Sequence, residues 1–148
     1  FSRIMSLKDG TKKMSKSELS DLSRINLTDQ KDEIINKIKK AKTDPHPMPL
    51  TVEELDKRPE AKNLIGIYSS LTGITLEKSI NEFSGKNFSE FKENLSQVVV
   101  DKITPISIEI KKLLTDKNYL DGILLEGCKR ADDIASNKVK KIHEIVGF

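Results

Sequence analysis

Residues 87–113, NFSEFKENLSQVVVDKITPISIEIKKL, carry apolar side chains three and four positions apart over most of their length. This spacing places the apolar residues on one face of an α-helix and therefore predicts a long amphipathic helix. Pro105 interrupts the stretch without interrupting the apolar stripe, so we expect either one bent helix or two helices end to end. The residues of the stripe are Phe91, Leu95, Val98, Val99, Ile103, Ile106, Ile110 and Leu113.

Helical spacing continues on both sides of this stretch. Pro59 suits the first turn of a helix that Gly73 would end, and a short helix fits between residues 75 and 85. A last helical segment runs from about residue 119 to the C-terminus. Small residues four apart in it would let another helix approach closely, so we expect this surface to lie against the preceding helix. They are Gly127, Ala131 and Ala135.

A further helix is predicted near the N-terminus, where Thr28 or Asp29 can serve as N-cap. Its apolar face is followed by residues 43–50, in which three prolines indicate a surface connection. These segments together predict an all-α helical bundle of about five helices. The apolar face of the first helix comprises Ile34, Ile35, Ile38 and Ala41, and lysines 37, 39, 40 and 42 fall mainly on its other faces.

The N-terminal residues form a different kind of segment. Residues 3–9 read as a short strand, and residues 10–17, GTKKMSKS, form a polar loop with three lysines and two serines. Lysine ammonium groups and serine hydroxyls both bind phosphate oxygens, so the composition indicates a phosphate-binding loop. For a generic run of this kind, an ordinary solvated loop without a ligand is the alternative.

Composition limits the possible functions. The chain has 148 residues, of which 36% are hydrophobic and 33% charged, with a net charge of +3; this fits one domain with appendages and does not establish a nucleic-acid partner. A single cysteine and two histidines exclude an internal disulfide and a zinc site, and indicate a reducing, cytoplasmic setting. No apolar run approaches the roughly 20 residues of a membrane span. Because the chain begins at Phe1, we expect further residues upstream.

Lys13-Met14-Ser15-Lys16-Ser17 is the KMSKS sequence of class I aminoacyl-tRNA synthetases. Further blocks resemble the bacterial-type, tryptophan-specific branch of that class and favour it over the tyrosine branch. The family usually has aspartate directly after the motif, where this chain has Glu18. The blocks lie at residues 3–7, 38–44, 63–68, 71–73, 83–86, 95–99, 126–131 and 146–148.

The resemblance implies two parts. Residues 1–22 would be the tail of a Rossmann-type catalytic domain, with a short strand and the KMSKS loop, and residues 23–148 a helical anticodon-binding domain. The complete enzyme would activate tryptophan with ATP and transfer it to its tRNA, as a cytoplasmic homodimer. No HIGH-type signature or amino-acid pocket occurs in this chain, so we expect it to be inactive alone and to need no cofactor.

The resemblance also assigns site residues. Lys13 and Lys16 would be the catalytic phosphate ligands, acting on ATP with magnesium in the complete enzyme. Met14 and Ser15 would contribute loop backbone near the nucleotide, and Ser17 would make a weaker polar contact. No residue of this chain is predicted to be a metal ligand.

Several other residues are predicted to have no catalytic role. His143 is interpreted as a packing or capping residue, His46 as exposed and Cys128 as a buried helical residue. Basic residues of the first and last helices are candidate tRNA-backbone contacts, with a solvated helix face as the alternative for each. They are Lys37, Lys39, Lys40, Lys42, Lys129, Arg130, Lys138, Lys140 and Lys141. The alternative function is a stand-alone helical RNA-binding or scaffold module without catalysis.

Overall fold

The computed structural model describes residues 3–147, in which the regular secondary structure is helical and no extended strand occurs. The prediction of an all-α fold is confirmed. Phe1 and Ser2, at the start of the segment predicted to be the catalytic-domain tail, and Phe148 of the last matching block lie outside the described residues. The helices are α1 (Lys31–Lys39), α2 (Val52–Asp56), α3 (Pro59–Thr72), α4 (Leu76–Phe83), α5 (Phe88–Thr115) and α6 (Lys117–Val146).

The chain divides into two compact units, the first ending at Ile108 and the second beginning at Glu109. The core of the first unit is built around three aromatic rings from three helices: Tyr68 of α3, Phe83 of α4 and Phe91 of α5. The Phe83 ring packs edge-on, with centroids 5.0 Å from Tyr68 and 4.9 Å from Phe91. Such edge contacts stabilise the core by about 0.5–1.5 kcal/mol per pair beyond the area they bury.

The long predicted helix forms as one element. α5 continues through Pro105, so the alternative of two separate helices is wrong. The Thr51 hydroxyl accepts a hydrogen bond from Glu54 N at 3.2 Å and so caps the N-terminus of α2. Gly73 ends α3 as predicted, with a left-handed φ of +76° that a residue without Cβ adopts readily.

The second unit contains the whole of α6, in which no side chain is buried. The prediction that Cys128 is buried is therefore wrong, because its side chain is exposed. A Cβ added to Gly127 would meet nothing within 4 Å, and Ala131 and Ala135 are exposed. Within the described residues of the second unit the small-residue positions are thus not buried, and the close contact of this surface with the preceding helix stays a prediction.

The predicted N-terminal strand is reduced to a single antiparallel bridge between Met5 and Lys13. Two hydrogen bonds flank it, from Ser6 N to the Lys12 carbonyl at 2.8 Å and from Met14 N to the Ile4 carbonyl at 3.1 Å. The chain thus folds back on itself between Met5 and Lys13, and the first residues of the polar loop belong to this hairpin.

Candidate functional site

The hairpin that precedes the polar loop is fixed against α3. The Asn63 side chain donates to the Met5 carbonyl at 2.9 Å and accepts from Met5 N at 2.8 Å, as a neighbouring strand would. Gly10 lies so close to the start of α3 that a Cβ added there would be 2.5 Å from the Pro59 carbonyl carbon. A side chain cannot occupy that space, so glycine is required for this approach.

One of the three loop lysines is already paired. Lys12 Nζ lies 3.6 Å from Asp9 Oδ2, and the Thr11 hydroxyl donates to Asp9 Oδ1 at 2.6 Å. The hydrogen bonds from Thr11 hold the pKa of the Asp9 carboxyl below its usual value, so the partner of Lys12 stays ionised at neutral pH. Because Lys12 is paired with Asp9, it differs from the two lysines of the motif in having an internal partner.

The motif lysines are the available cations of the loop. Lys13 and Lys16 are both exposed, and neither forms an ion pair or a side-chain hydrogen bond with any residue between 3 and 147. Met14 between them is half-buried and packs against the core of the first unit. Two ammonium groups that face solvent from a fixed backbone can bind a polyphosphate without first breaking an internal pair.

The two motif serines interact with each other. Their hydroxyl oxygens lie 2.9 Å apart, and Ser17 N donates to Ser15 Oγ at 3.3 Å. Both side chains are exposed.

The far end of the loop is held through its backbone. Arg24 Nη1 donates to the Glu18 carbonyl at 2.9 Å, whereas the Glu18 side chain is exposed. Leu19, the next residue, is fully exposed. The loop and the segment after it enclose an open pocket of about 500 Å³, lined by Met14, Ser15, Lys16, Arg24, Ile25, Asn26 and Leu27.

Asp21, Asp29 and Lys37 form an ionic cluster that sequence reasoning missed, in which Lys37 and Asp29 are buried and the Asp21 side chain is 57% exposed. Lys37 of α1 is only 3% exposed, and its Nζ lies 2.6 Å from carboxylate oxygens of both Asp21 and Asp29. Burial alone would lower the pKa of Lys37, but the two carboxylates outweigh it and raise the pKa, so the side chain stays charged. The prediction that Lys37 belongs to an exposed basic face is therefore wrong.

The same cluster changes the predicted start of α1. Asp29 accepts a hydrogen bond from Lys37 and another from Asn26 N at 2.8 Å, instead of capping the helix. The N-cap is Gln30, whose backbone N donates to Glu33 Oε2 at 2.6 Å. The sequence does not show whether Asp29 caps the helix or pairs with a lysine, because a polar residue before a helix is compatible with both roles. The contact with residue 37 in the structure distinguishes them.

The other predicted tRNA-contacting residues differ in availability. Lys42 is paired with Glu60 at 2.9 Å, and Arg130 lies 4.0 Å from Glu126 with both side chains exposed. The remaining ones are exposed: Lys39 and Lys40 in the first unit and Lys129, Lys138, Lys140 and Lys141 in the second.

Residues 3–147 contain no group of three or more His, Cys, Asp or Glu side chains able to hold a metal ion. A magnesium ion that binds together with a nucleotide is typically held by phosphate oxygens and water with one or two carboxylates, so we derive no step through one from the residues of this chain. In the same residues, no helix is both long enough and apolar enough to span a bilayer.

The hairpin, the two free motif lysines and the helical unit beside them are features of one class of proteins. The family of class I tRNA synthetases (W and Y) matches residues 1–103, and the chain belongs to this family. Its relatives include the tryptophan–tRNA ligase of Agrobacterium fabrum, 51% identical over 146 residues, which cover 99% of this chain and 41% of the relative. The tryptophan–tRNA ligase of Rickettsia felis is 49% identical over 148 residues, covering 99% of this chain and 44% of that protein.

Solved structures agree with this assignment. The tryptophanyl-tRNA synthetase of Mycoplasma pneumoniae matches with a TM-score of 0.75 and 25% identity, over 99% of this chain and 44% of that one. The Campylobacter jejuni enzyme has the same fold, with a TM-score of 0.71 at 21% identity. The chain thus spans about two fifths of the length of the curated relatives it matches.

Proposed function

We propose that this chain is the C-terminal part of a tryptophan–tRNA ligase. Residues 1–22 complete the ATP site of its catalytic domain, and residues 23–148 form a helical domain that contacts the anticodon region of tRNA. The observation that carries the proposal is the pair Lys13 and Lys16, exposed and without internal partners on a loop fixed at both ends. The family relationship supplies the substrates tryptophan, ATP and tRNA.

The chemistry assigned to the loop is charge stabilisation. When the tryptophan carboxylate attacks the α-phosphorus of ATP, a new O–P bond forms, the bond to the bridging oxygen breaks and pyrophosphate leaves. Lys13 and Lys16 neutralise the negative charge that gathers on the departing pyrophosphate. Met14 and Ser15 contribute backbone beside the nucleotide, and Ser17 makes a weaker polar contact. No nucleophile or general base from this chain is required.

The helical part is assigned to tRNA through its sugar–phosphate backbone. Exposed lysines on α1 and α6 offer charge without internal partners, so binding should weaken steeply as salt is raised. Lys39 and Lys40 are the candidates in the first unit, and Lys37 is removed from the set because it is buried. We further propose that the complete enzyme is a cytoplasmic homodimer.

The phosphate role is tested by tryptophan-dependent ATP–pyrophosphate exchange in the complete protein. We expect Lys13→Ala and Lys16→Ala each to lower kcat by about 100-fold, the effect typical of removing one group that stabilises transition-state charge. Lys12→Ala is the matched control, because Lys12 is the neighbouring lysine paired with Asp9. Near-normal exchange in both motif variants, with the fold intact, would overturn the assignment.

The tRNA role is tested with this chain itself. Cognate tRNA should bind more tightly than an unrelated RNA of equal length at matched salt, and Lys39→Ala combined with Lys40→Ala should reduce the salt slope. Equal binding of both RNAs would favour a stand-alone RNA-binding or scaffold module. Aminoacylation by this chain alone is not expected.

A further inference from the structure

We infer that Arg24 is a positioning residue for the phosphate-binding loop. It holds the backbone of residue 18 and thereby keeps Lys16 near the place where the loop meets its ligand. The inference rests on the proposed function for its catalytic consequence, but the geometric part concerns this chain alone.

The guanidinium of Arg24 uses all three of its nitrogens. Nη1 donates to the Glu18 carbonyl at 2.9 Å, Nε donates to Asn26 Oδ1 at 3.1 Å, and Nη2 lies 3.0 Å from Asp21 Oδ1. A planar fork held at two of its nitrogens leaves the third in a fixed direction. The position of the Glu18 carbonyl is therefore set by partners outside the loop.

Those partners are themselves fixed to α1. Asp21 accepts hydrogen bonds from Asn26 Nδ2 at 3.1 Å and from Lys37 Nζ at 2.6 Å. Asn26 Nδ2 also donates to Asp29 Oδ1 at 3.1 Å. Because Lys37 and Asp29 are both buried, the network that orients Arg24 is part of the folded core of the first unit.

The loop has little else to hold it. Within the part of the chain that the structure describes, the bond from Arg24 to the Glu18 carbonyl is the one hydrogen bond that joins residues 15–19 to the remaining residues. The contacts between Ser15 and Ser17 are internal to the loop. Without Arg24, the five residues after Met14 would be fixed by their covalent ends alone.

The hydrogen bond from Arg24 gives the backbone of residue 18 a role in holding the loop. The contact uses the carbonyl of Glu18 and leaves its side chain in solvent, so it does not depend on which acidic residue follows the motif. The requirement falls on residue 24, which needs a multidentate, permanently charged donor. Lysine has the charge but cannot span the three acceptors.

Loss of this contact should cost catalytic efficiency. An unheld loop must be ordered each time it closes on ATP, and a misplaced Lys16 stabilises the transition state less well. For one hydrogen bond from a charged donor, we expect Arg24→Gln to lower kcat/KM for ATP about tenfold.

The geometric part is tested by a nitroxide spin label at position 19. Leu19 is fully exposed and Cys128 is the sole cysteine, so a Leu19→Cys, Cys128→Ser chain carries one label in the loop. Arg24→Gln should convert the spectrum of the label to that of a highly mobile site, and Arg24→Lys should do the same. The matched control is Arg58→Gln, which removes another multidentate arginine that holds residues 44–47.

The catalytic part is measured by exchange in the complete protein. If Lys13→Ala and Lys16→Ala abolish exchange while Arg24→Gln leaves kcat/KM unchanged, the positioning role is wrong and the proposed function stands. If the lysine variants have no effect, the proposed function fails and the spin label still decides whether Arg24 holds the loop. An unchanged label spectrum in folded Arg24→Gln overturns the inference in either case.

Discussion

Two loops of the first unit are held very differently. Residues 15–19 are joined to the rest of the described chain by one hydrogen bond, from Arg24. Residues 43–50 are held along their length: Arg58 binds both oxygens of Asp44 at 2.6 and 2.8 Å and donates to the Pro47 carbonyl at 2.8 Å. The difference separates a loop that maintains the fold from one whose polar groups remain available for a ligand.

The sequences of the two loops account for this contrast. Prolines restrict the backbone of residues 43–50, and Met48 is buried and exchanges backbone hydrogen bonds with residues 85–86, at 2.9 and 3.2 Å. Full burial of a methionine side chain stabilises the folded state by about 1.5–3 kcal/mol. Between Ser15 and Leu19 no side chain is buried, so hydrophobic burial does not oppose movement of that loop.

The largest effect is expected from disrupting the start of the polar loop, where it is fixed against α3. Gly10→Ala should destabilise the first unit by about 3 kcal/mol, because the new Cβ would lie 2.5–2.7 Å from backbone atoms of Pro59 and Glu60. Urea unfolding followed by far-UV circular dichroism measures the change.

The matched control for this variant is Gly122→Ala in α6, where an added Cβ meets nothing within 4 Å. We expect it to stabilise the helix by about 0.5–1 kcal/mol, since alanine restricts the unfolded chain more than glycine does. Equal effects at the two positions would mean that the close approach at Gly10 is not required.

A smaller effect is expected from releasing residues 43–50, the proline loop. Arg58→Gln should lower the free energy of unfolding by about 2 kcal/mol, because it leaves Asp44 partly buried without its cation. Arg24→Gln should cost about 1 kcal/mol, since Arg24 is more exposed, at 18% against 11%. The same unfolding experiment ranks the two, and a larger loss for Arg24 would reverse the comparison.

The helices were largely predictable from sequence, whereas the attachment of the loop was not. Apolar spacing predicted α3 and α5 because burial of one face imposes that period. Asn63 was not recognised as a partner of Met5, because 58 residues separate them and a polar residue in an apolar stripe has no visible partner in the sequence.

For the motif residues, too, the contact partners could not be predicted from the sequence. The order Lys13 to Ser17 identified the candidate phosphate ligands, but no local pattern distinguishes paired Lys12 and buried Lys37 from free Lys13 and Lys16. That distinction depends on which carboxylates the fold brings near each ammonium group. For Lys37 these are Asp21 and Asp29, which lie 16 and 8 positions away in the sequence.

Low pH should weaken the contacts that hold both loops. The resulting loss of folding stability should be smaller than the loss caused by Arg58→Gln. Burial would raise the pKa of Asp44, but hydrogen bonds from Arg58 outweigh it and lower the pKa below the model-peptide value of 3.8. The hydrogen bond from Lys37 is the largest cause of the lowered pKa of Asp21. A carboxyl with a lowered folded-state pKa stabilises the protein above its unfolded pKa, and the contribution is lost as pH falls through the folded value.

The urea midpoint should therefore decline as pH falls below about 4, where the unfolded carboxyls begin to take up protons. Asp44→Asn should flatten this decline, because the amide does not titrate. A pH dependence identical to that of the unmodified chain would show that Asp44 does not contribute to it.

The smallest effect is expected from a substitution inside the polar loop. Ser15→Ala removes the contacts between Ser15 and Ser17, which are exposed and join no other part of the chain. The free energy of unfolding should change by less than about 0.5 kcal/mol, and the spin label at position 19 should keep its spectrum. If Ser15→Ala instead mobilised the label as much as Arg24→Gln, the loop would be ordered from within. The polar loop and the proline loop would then differ in which contacts fix them, and not in how firmly they are fixed.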